Sequence, residues 1–405
     1  MFNIQFLKSN FKYLVFGFLM TFCSSFGQTF FLGIFNPYIR EDLNLSHSEF
    51  GGIYSAATLV SSISIIWIGK KIDDFKLKHF ASFVCISLFL ASLFMSKLSG
   101  YIHLIFAIFF LRLFGQGLMS HTSSTAMARF FTVNRGKALG ISWLGLSFGE
   151  GLLPGLIIFL LSFLLWKQVW VYVACFLIFV IFPLILFLLK NFQDHSSEPT
   201  TVNATSNIKN WKRSEVLKDV KFYFLLPAVL CPAFLITGIF INQSIIFESK
   251  NWSSSLIAPS FTTYAVVSVI SLQVSGYLID KFTAIKILPY YLVPLILGFF
   301  VSTYYSFHYS PILFFALIAI TSGTSNVLLT STWSEIYGTK YLGAIRSVTV
   351  SFMVFSTSLA PFLFGHLIDL QFKMDQILLF MGVYAVLTNL LFLFKIKSYK
   401  PINIS

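Results

Sequence analysis

The sequence predicts an all-α membrane protein of twelve transmembrane helices, arranged as two parallel six-helix repeats. Three observations carry this. First, the 405 residues are 57% hydrophobic and only 11% charged, whereas a soluble domain carries about 25% charged residues. Second, the apolar residues fall into twelve runs, each long enough to cross a hydrocarbon core of about 30 Å as a helix. Third, the second half of the chain repeats the first at a constant offset.

The runs lie at 12–37, 47–69, 79–97, 102–128, 138–164, 169–189, 222–246, 257–279, 285–305, 311–333, 343–366 and 376–394. Their length argues for helices, because a barrel strand would be about ten residues with alternating polarity. The first run follows Lys8 and Lys12. It is too long for the apolar part of a signal peptide and has no small-x-small cleavage site, so it reads as a retained span. Ser46-x-x-Glu49 is a capping box that starts the second span. The fifth holds Gly145, Gly149, Gly151 and Pro154, residues that permit close helix packing and a bend. Cys23, Cys85, Cys175 and Cys231 are isolated in apolar runs, which argues against disulfides and zinc.

So few charges exclude a soluble enzyme, a disordered scaffold and a nucleic-acid binder, despite a net charge of +13. In a membrane protein Lys and Arg instead set orientation. Twelve spans place both termini on one side, and the loops on that side hold 22 of the 28 Lys and Arg. The opposite loops hold five (Arg40, Lys97, Lys167, Lys250 and Lys373), and Arg112 lies within a span. The expected topology is multi-pass in a cell inner membrane with both termini cytoplasmic.

The longest polar segment, 190–221, is rich in Ser, Thr and Asn and reads as a cytoplasmic linker, with a short surface helix at 211–219. It separates an N-terminal six-helix bundle, 1–189, from a C-terminal one, 222–405. Shifted by 207 residues, 44–75 and 251–282 align without gaps at eleven identities in 32 positions. These include Asn44/Asn251, Ser46/Ser253, Gly69/Gly276 and Asp73/Asp280. The same offset pairs Gly136 with Gly343 and Pro154 with Pro361, and a register held over more than 100 residues indicates duplication. Six spans per copy is an even number, so both copies have the same orientation.

A charge at the bilayer centre costs at least about 2.5–3.5 kcal/mol on insertion scales. Arg112 in the fourth span and Glu150 in the fifth both fall near mid-depth, on consecutive antiparallel helices, so an ion pair between them is expected. Their repeat counterparts are Ala319 and Thr357, so the charges are not part of the duplicated scaffold. Glu150 is the candidate proton carrier and Arg112 its modulator, free to meet a substrate carboxylate once Glu150 is protonated. Helical spacing adds Gln116, Met119 and Ser123 to the Arg112 face, and turns His121 away from it to pack on another helix. Ser24, Ser25 and Gln28 give the first span a polar side at mid-depth. Gln273 and Asn326 are candidates in the second half. Each polar side chain could equally join helices to one another.

Several segments resemble signatures of the major facilitator superfamily. Gly69-Lys-Lys-Ile-Asp73 and Gly276-Tyr-Leu-Ile-Asp280-Lys281 resemble its loop motif between spans 2–3 and 8–9. The first copy departs from it with Asp74 and Lys76. Arg112-Leu-Phe-Gly115-Gln116-Gly117 resembles the fourth-span arginine motif. Gly145-Leu-Ser-Phe-Gly149-Glu150-Gly151-Leu-Leu-Pro154-Gly155 resembles the Gly/Pro-rich fifth span. Ser25-Phe-Gly-Gln28-Thr29, Ser46-x-x-Glu49 and Asn134-Arg135-Gly136-Lys137-Ala138 are most similar to the bacterial monocarboxylate and oxalate–formate branch. No Lys or Arg lies within 47–69 or 257–279, where anion carriers of the family place cations.

The resemblance implies a secondary active transporter, not an enzyme. It would move a small organic solute, with a monocarboxylate and proton symport as the leading expectation, by rocking two bundles about a central site. Asp73, Asp280 and Lys281 are then gating residues, with Arg129 and Arg135 as candidate partners for Asp73. No nucleotide-binding loop, metal cluster or catalytic constellation is visible, so the expected partners are a solute, a proton and the bilayer, with no cofactor, no metal and no nucleic acid, for a monomer. The alternatives are a drug/proton antiporter and a non-transporting membrane sensor on the same scaffold.

Overall fold

The computed structural model describes residues 4–131, 135–190, 211–305, 307–338 and 341–395, all of whose regular elements are helical. Among the described residues eleven helices are long and apolar enough to cross a membrane, and a twelfth apolar helix is shorter. We number these α1–α12. The chain divides into two compact units, Met1–Thr201 and Val202–Ser405. Most of the expected linker, 191–210, lies outside the described residues. Of its predicted surface helix, one turn forms at Arg213–Val216. Trp211 N donates to Tyr337 O at 3.0 Å, which docks this end of the segment on the second unit.

The first unit holds α1 (Phe11–Leu43), α2 (His47–Asp73), α3 (Leu77–Ser96), α4 (Tyr101–Phe130), α5 (Gly136–Leu161) and α6 (Trp166–Leu188). The expected capping box starts α2: Glu49 N donates to Ser46 Oγ at 3.2 Å, and Ser46 N to Glu49 Oε2 at 2.8 Å. α1 ends at Asn44 in the left-handed region, φ 51°. Its repeat counterpart, Asn251, has φ 53°. Asn visits this region more readily than other side-chain-bearing residues, because its short amide can bond locally. The identity between the copies is thus also an identity of backbone.

The second unit holds α7 (Val220–Ile241), α8 (Ser254–Phe282), α9 (Val293–Tyr304), α10 (Ser310–Tyr337), α11 (Ala344–Asp369) and α12 (Met374–Phe394). The expected ninth span, 285–305, is not one helix. It is a short turn at Ala284–Ile287, a non-helical stretch, and α9 with Pro294 in its first turn. Proline there removes a backbone donor and cannot continue a preceding helix. Apolar surroundings demand that the freed groups be satisfied by neighbours, and α10 does this. The buried Thr321 hydroxyl donates to Tyr291 O at 2.9 Å and accepts from Leu295 N at 3.2 Å. Asn389 of α12 donates to Pro289 O at 3.2 Å. Thr321→Val keeps the shape but strands two backbone groups, each worth about 1–3 kcal/mol. We expect a clear fall in the thermal unfolding midpoint of the purified protein, while Ser at the same position retains most of it.

Each unit is riveted at the end away from its Lys-rich loops, with opposite polarity. In the first, Lys167 at the start of α6 pairs with Asp42 of α1 at 2.8 Å, and Trp166 Nε1 donates to the same carboxylate at 3.2 Å. In the second, Lys250 after α7 pairs with Asp375 at the start of α12. The duplicated architecture has kept the location of the pair and exchanged its charges.

Candidate functional site

α1 is broken at mid-length. Its first helix, Phe11–Ser24, runs into a tight turn at Ser25–Gly27. Gln28 is extended (φ −80°, ψ 155°), and a second helix starts at Thr29. Such a break leaves backbone carbonyls without intrahelical donors. α4 and α5 close on it from two directions through glycines. A Cβ on Gly27 would lie 2.1 Å from Leu111 O and 2.9 Å from the Gly115 Cα, so backbone meets backbone there. A Cβ on Gly149 of α5 would lie 2.1 Å from Ser25 Oγ, and one on Gly145 would lie 2.1 Å from Phe18 O. The Gly/Pro-rich fifth span and Gly115 after Arg112 therefore bring two helices onto the broken one.

Arg112 enters this junction from a π-helical stretch of α4, Leu111–Met119. It is 4% exposed. Its Nη1 donates to Gly27 O at 3.1 Å and to Thr29 Oγ1 at 3.3 Å, and its guanidinium carbon lies 5.3 Å from the centre of the Tyr54 ring. Tyr54 OH in turn donates to Thr29 Oγ1 at 2.9 Å. Every one of these partners is neutral, and Arg112 Nε has no hydrogen-bond partner. The cation terminates the first half of α1 and has no counter-ion among the described residues of its unit.

The expected Arg112–Glu150 ion pair is absent. Arg112 is committed to α1 and α2, while Glu150, on α5 beside Gly149, is half-buried and takes neither a hydrogen bond nor an ion pair among the described residues. Equal depth on neighbouring helices does not fix the direction in which two side chains point. Nor does ordinary helical spacing hold beyond Arg112. The π stretch widens the turn, and Met119 and Ser123 are fully buried, with Ser123 Oγ donating to Gly17 O at 2.8 Å. Gln28 and Gln116 are half-buried, and neither side chain takes a hydrogen bond among the described residues. They are brought close through their backbones, because the position of a Cβ on Gly27 is 2.5 Å from Gln116 N.

Ser24 is buried, and its hydroxyl donates to Thr21 O on its own helix at 2.6 Å. In the second unit Gln273 is exposed on α8, and the side chain of Asn326 on α10 lies outside the described residues. Thr29 and Tyr54 are members of the site that sequence reasoning missed. A signal for them existed. At the repeat offset, Thr29, Tyr54 and Arg112 correspond to Ile236, Phe261 and Ala319, so all three lose polarity together in the second copy.

At the Lys-rich end of the first unit, Arg129 of α4 pairs with Asp73 of α2 and also donates to Ile72 O at 3.4 Å. Two turns away, His121 Nε2 donates to Gly69 O at 3.1 Å, so His121 packs on α2. The side chain of Arg135 lies outside the described residues. The second unit does not repeat this latch. Asp280 takes no ion pair among the described residues, and Lys281 lies 5.2 Å over the Phe282 ring. The counterpart of Arg129 is Ile336, which removes the cation. Its neighbour Glu335 accepts from Ala284 N at 2.7 Å and Ile285 N at 3.1 Å, fixing the loop after α8 by capping it.

Comparison with known proteins agrees with this architecture. No curated protein matches the chain. A bacterial homologue of the human lysosomal transporter Spinster, in an inward-facing and unoccupied conformation, superposes with a TM-score of 0.73. The two are 14% identical over 96% of this chain and 97% of that one. The nucleoside transporter NupG superposes with a TM-score of 0.72 at 12% identity, over 96% and 100% of the two chains. At these identities the likeness is one of fold. The family model described as the Major Facilitator Superfamily matches residues 17–361, and the chain belongs to that superfamily.

Proposed function

We propose that the protein is a proton-coupled secondary transporter of small organic anions, with monocarboxylates as the preferred class, working by alternating access. The observation that carries the reading is the state of Arg112: a buried guanidinium whose partners are a carbonyl, a hydroxyl and an aromatic face. Burying a charge without a counter-ion is unfavourable by several kcal/mol, on the order of the figures for intramembrane charges. A substrate carboxylate would supply the missing charge, and a guanidinium fork matches it geometrically. Gln28 and Gln116, half-buried and unbonded, are placed to contact the rest of a small solute. Glu150, a titratable group without a partner, is the proposed proton carrier.

The count of Lys and Arg supports an inner-membrane topology with both termini cytoplasmic, and two six-span domains, 1–189 and 222–405, joined by 190–221. On that orientation the Asp73–Arg129 pair is a latch on the cytoplasmic side of α2 and α4, with Asp280 and Lys281 acting without an arginine partner among the described residues. The deciding test is uptake of labelled short monocarboxylates into proteoliposomes under an imposed pH gradient. Acid on the uptake side should raise both rate and accumulation. Extrusion of lipophilic cations without carboxylate uptake would favour a drug/proton antiporter, and transport of neither would favour a sensor.

A further inference from the structure

We propose that the first unit carries a binding site for the phosphate-bearing headgroup of an anionic phospholipid, in a cleft between the start of α1 and the end of α6. The cleft measures about 430 Å³ and is lined by Lys8, Lys12 and Lys190 together with Phe11, Tyr13 and Phe187. The three lysines come from three segments: the short helix Ile4–Ser9, the first turn of α1, and the turn that follows α6. Their convergence is held by structure. Asn10 Nδ2 donates to Phe6 O at 3.0 Å across the junction between the short helix and α1, and the Phe6 ring packs on Phe131 with centroids 5.5 Å apart.

The charge balance of the cleft is one-sided. Among the described residues, no acidic side chain lines it and none of the three lysines takes an ion pair. Elsewhere in the same unit, Lys71, Arg129 and Lys167 each find a carboxylate. Three ammonium groups around one cleft repel one another and attract a diffuse anion.

The walls select which kind of anion. Phe11 and Phe187 are 63% and 62% exposed, and the Lys12 ammonium lies 5.7 Å over the Phe187 ring. An apolar wall continuous with cations suits an amphiphile: phosphate among the ammonium groups, glycerol and upper acyl chain against the rings. A free inorganic ion would leave the aromatic surface uncovered. Both helix ends belong to the Lys-rich boundary of the unit, where a basic cleft between spans meets the headgroup layer.

The test is native mass spectrometry of the full-length protein titrated with phosphatidylglycerol or phosphatidylcholine. Each lysine near such a surface contributes roughly fivefold, so K8Q/K12Q/K190Q together should weaken phosphatidylglycerol retention about a hundredfold. K8R/K12R/K190R should preserve it, and K70Q/K76Q/K78Q, with the same change in net charge, should leave it within a few-fold of wild type. Equal retention of the two lipids, or equal loss in both glutamine triple variants, would overturn the proposal. So would displacement of the lipid by millimolar inorganic phosphate, which would assign the cleft to the free ion. None of these lysines belongs to the proposed transport site, so failure here would leave that reading standing.

Discussion

Replacing Arg112 by glutamine should lower monocarboxylate uptake by roughly one to two orders of magnitude while the protein remains folded. A hydrogen bond to a charged group is worth about 1.5–3 kcal/mol, and that range converts to this loss in transport efficiency. The glutamine amide ends near the position of Arg112 Nε, which has no partner, so Gly27 O loses its donor at a cost of about 1–3 kcal/mol. The substitution also removes a buried charge that no counter-ion compensates, which offsets that cost. Stability and transport should therefore separate: an unfolding midpoint near wild type, with uptake largely gone. Lysine at 112 should be intermediate, because it keeps the charge but loses the planar fork with which a guanidinium matches a carboxylate. If the glutamine variant transported normally, or lost activity only in proportion to lost folded protein, Arg112 would be a structural cap on α1.

Tyr54→Phe is the control within the same cluster. It removes the hydroxyl that Tyr54 donates to Thr29 and leaves the ring face beneath the guanidinium. Phe261 already fills the corresponding position of the second unit, so the ring alone is compatible with this architecture. A small change in uptake beside the large one for Arg112 would locate the effect in the charge.

Much of the architecture was written in local patterns. Apolar run length marks a membrane helix because a bilayer sets a minimum span, and the repeat register correctly linked Asn44 with Asn251. The ninth span misled because an apolar count is blind to backbone donors. Pro294 leaves the run equally greasy while preventing a continuous helix, and only the three-dimensional neighbour Thr321 reveals how the gap is closed. The site was half legible. An intramembrane arginine is conspicuous in any apolar sequence, but its partners are a carbonyl, a threonine and a tyrosine, none conspicuous alone. The Arg112–Glu150 pairing failed for a geometric reason. Depth follows from counting residues, whereas azimuth depends on the helix type, and the π stretch that carries Arg112 has no clear sequence signature.

Replacing Glu150 by glutamine should abolish uptake against a gradient while sparing solute exchange. The amide matches the protonated acid in shape and cannot release a proton, so the carrier would cycle only in its loaded form. On the proposed mechanism, acid on the uptake side of the wild type loads Glu150 and draws the solute with it. Rate and accumulation should then rise as the pH on that side falls. In Glu150→Gln net uptake into vesicles without internal solute should fall to background at every pH tested. Counterflow, in which labelled solute exchanges for unlabelled solute inside the vesicle, should continue at a comparable rate because it needs no net proton movement. A folding defect would suppress counterflow and net uptake together, which makes exchange the internal control. Gly149, the neighbour that packs on Ser25, is best left unchanged, since a side chain there would displace the Ser25 hydroxyl. Glu150→Asp should restore some pH response, because a carboxyl remains on the same face of α5. Persistence of pH-driven accumulation in the glutamine variant would exclude Glu150 as the coupling group and turn the search to the remaining titratable side chains of the first unit, beginning with His121 at its bond to Gly69.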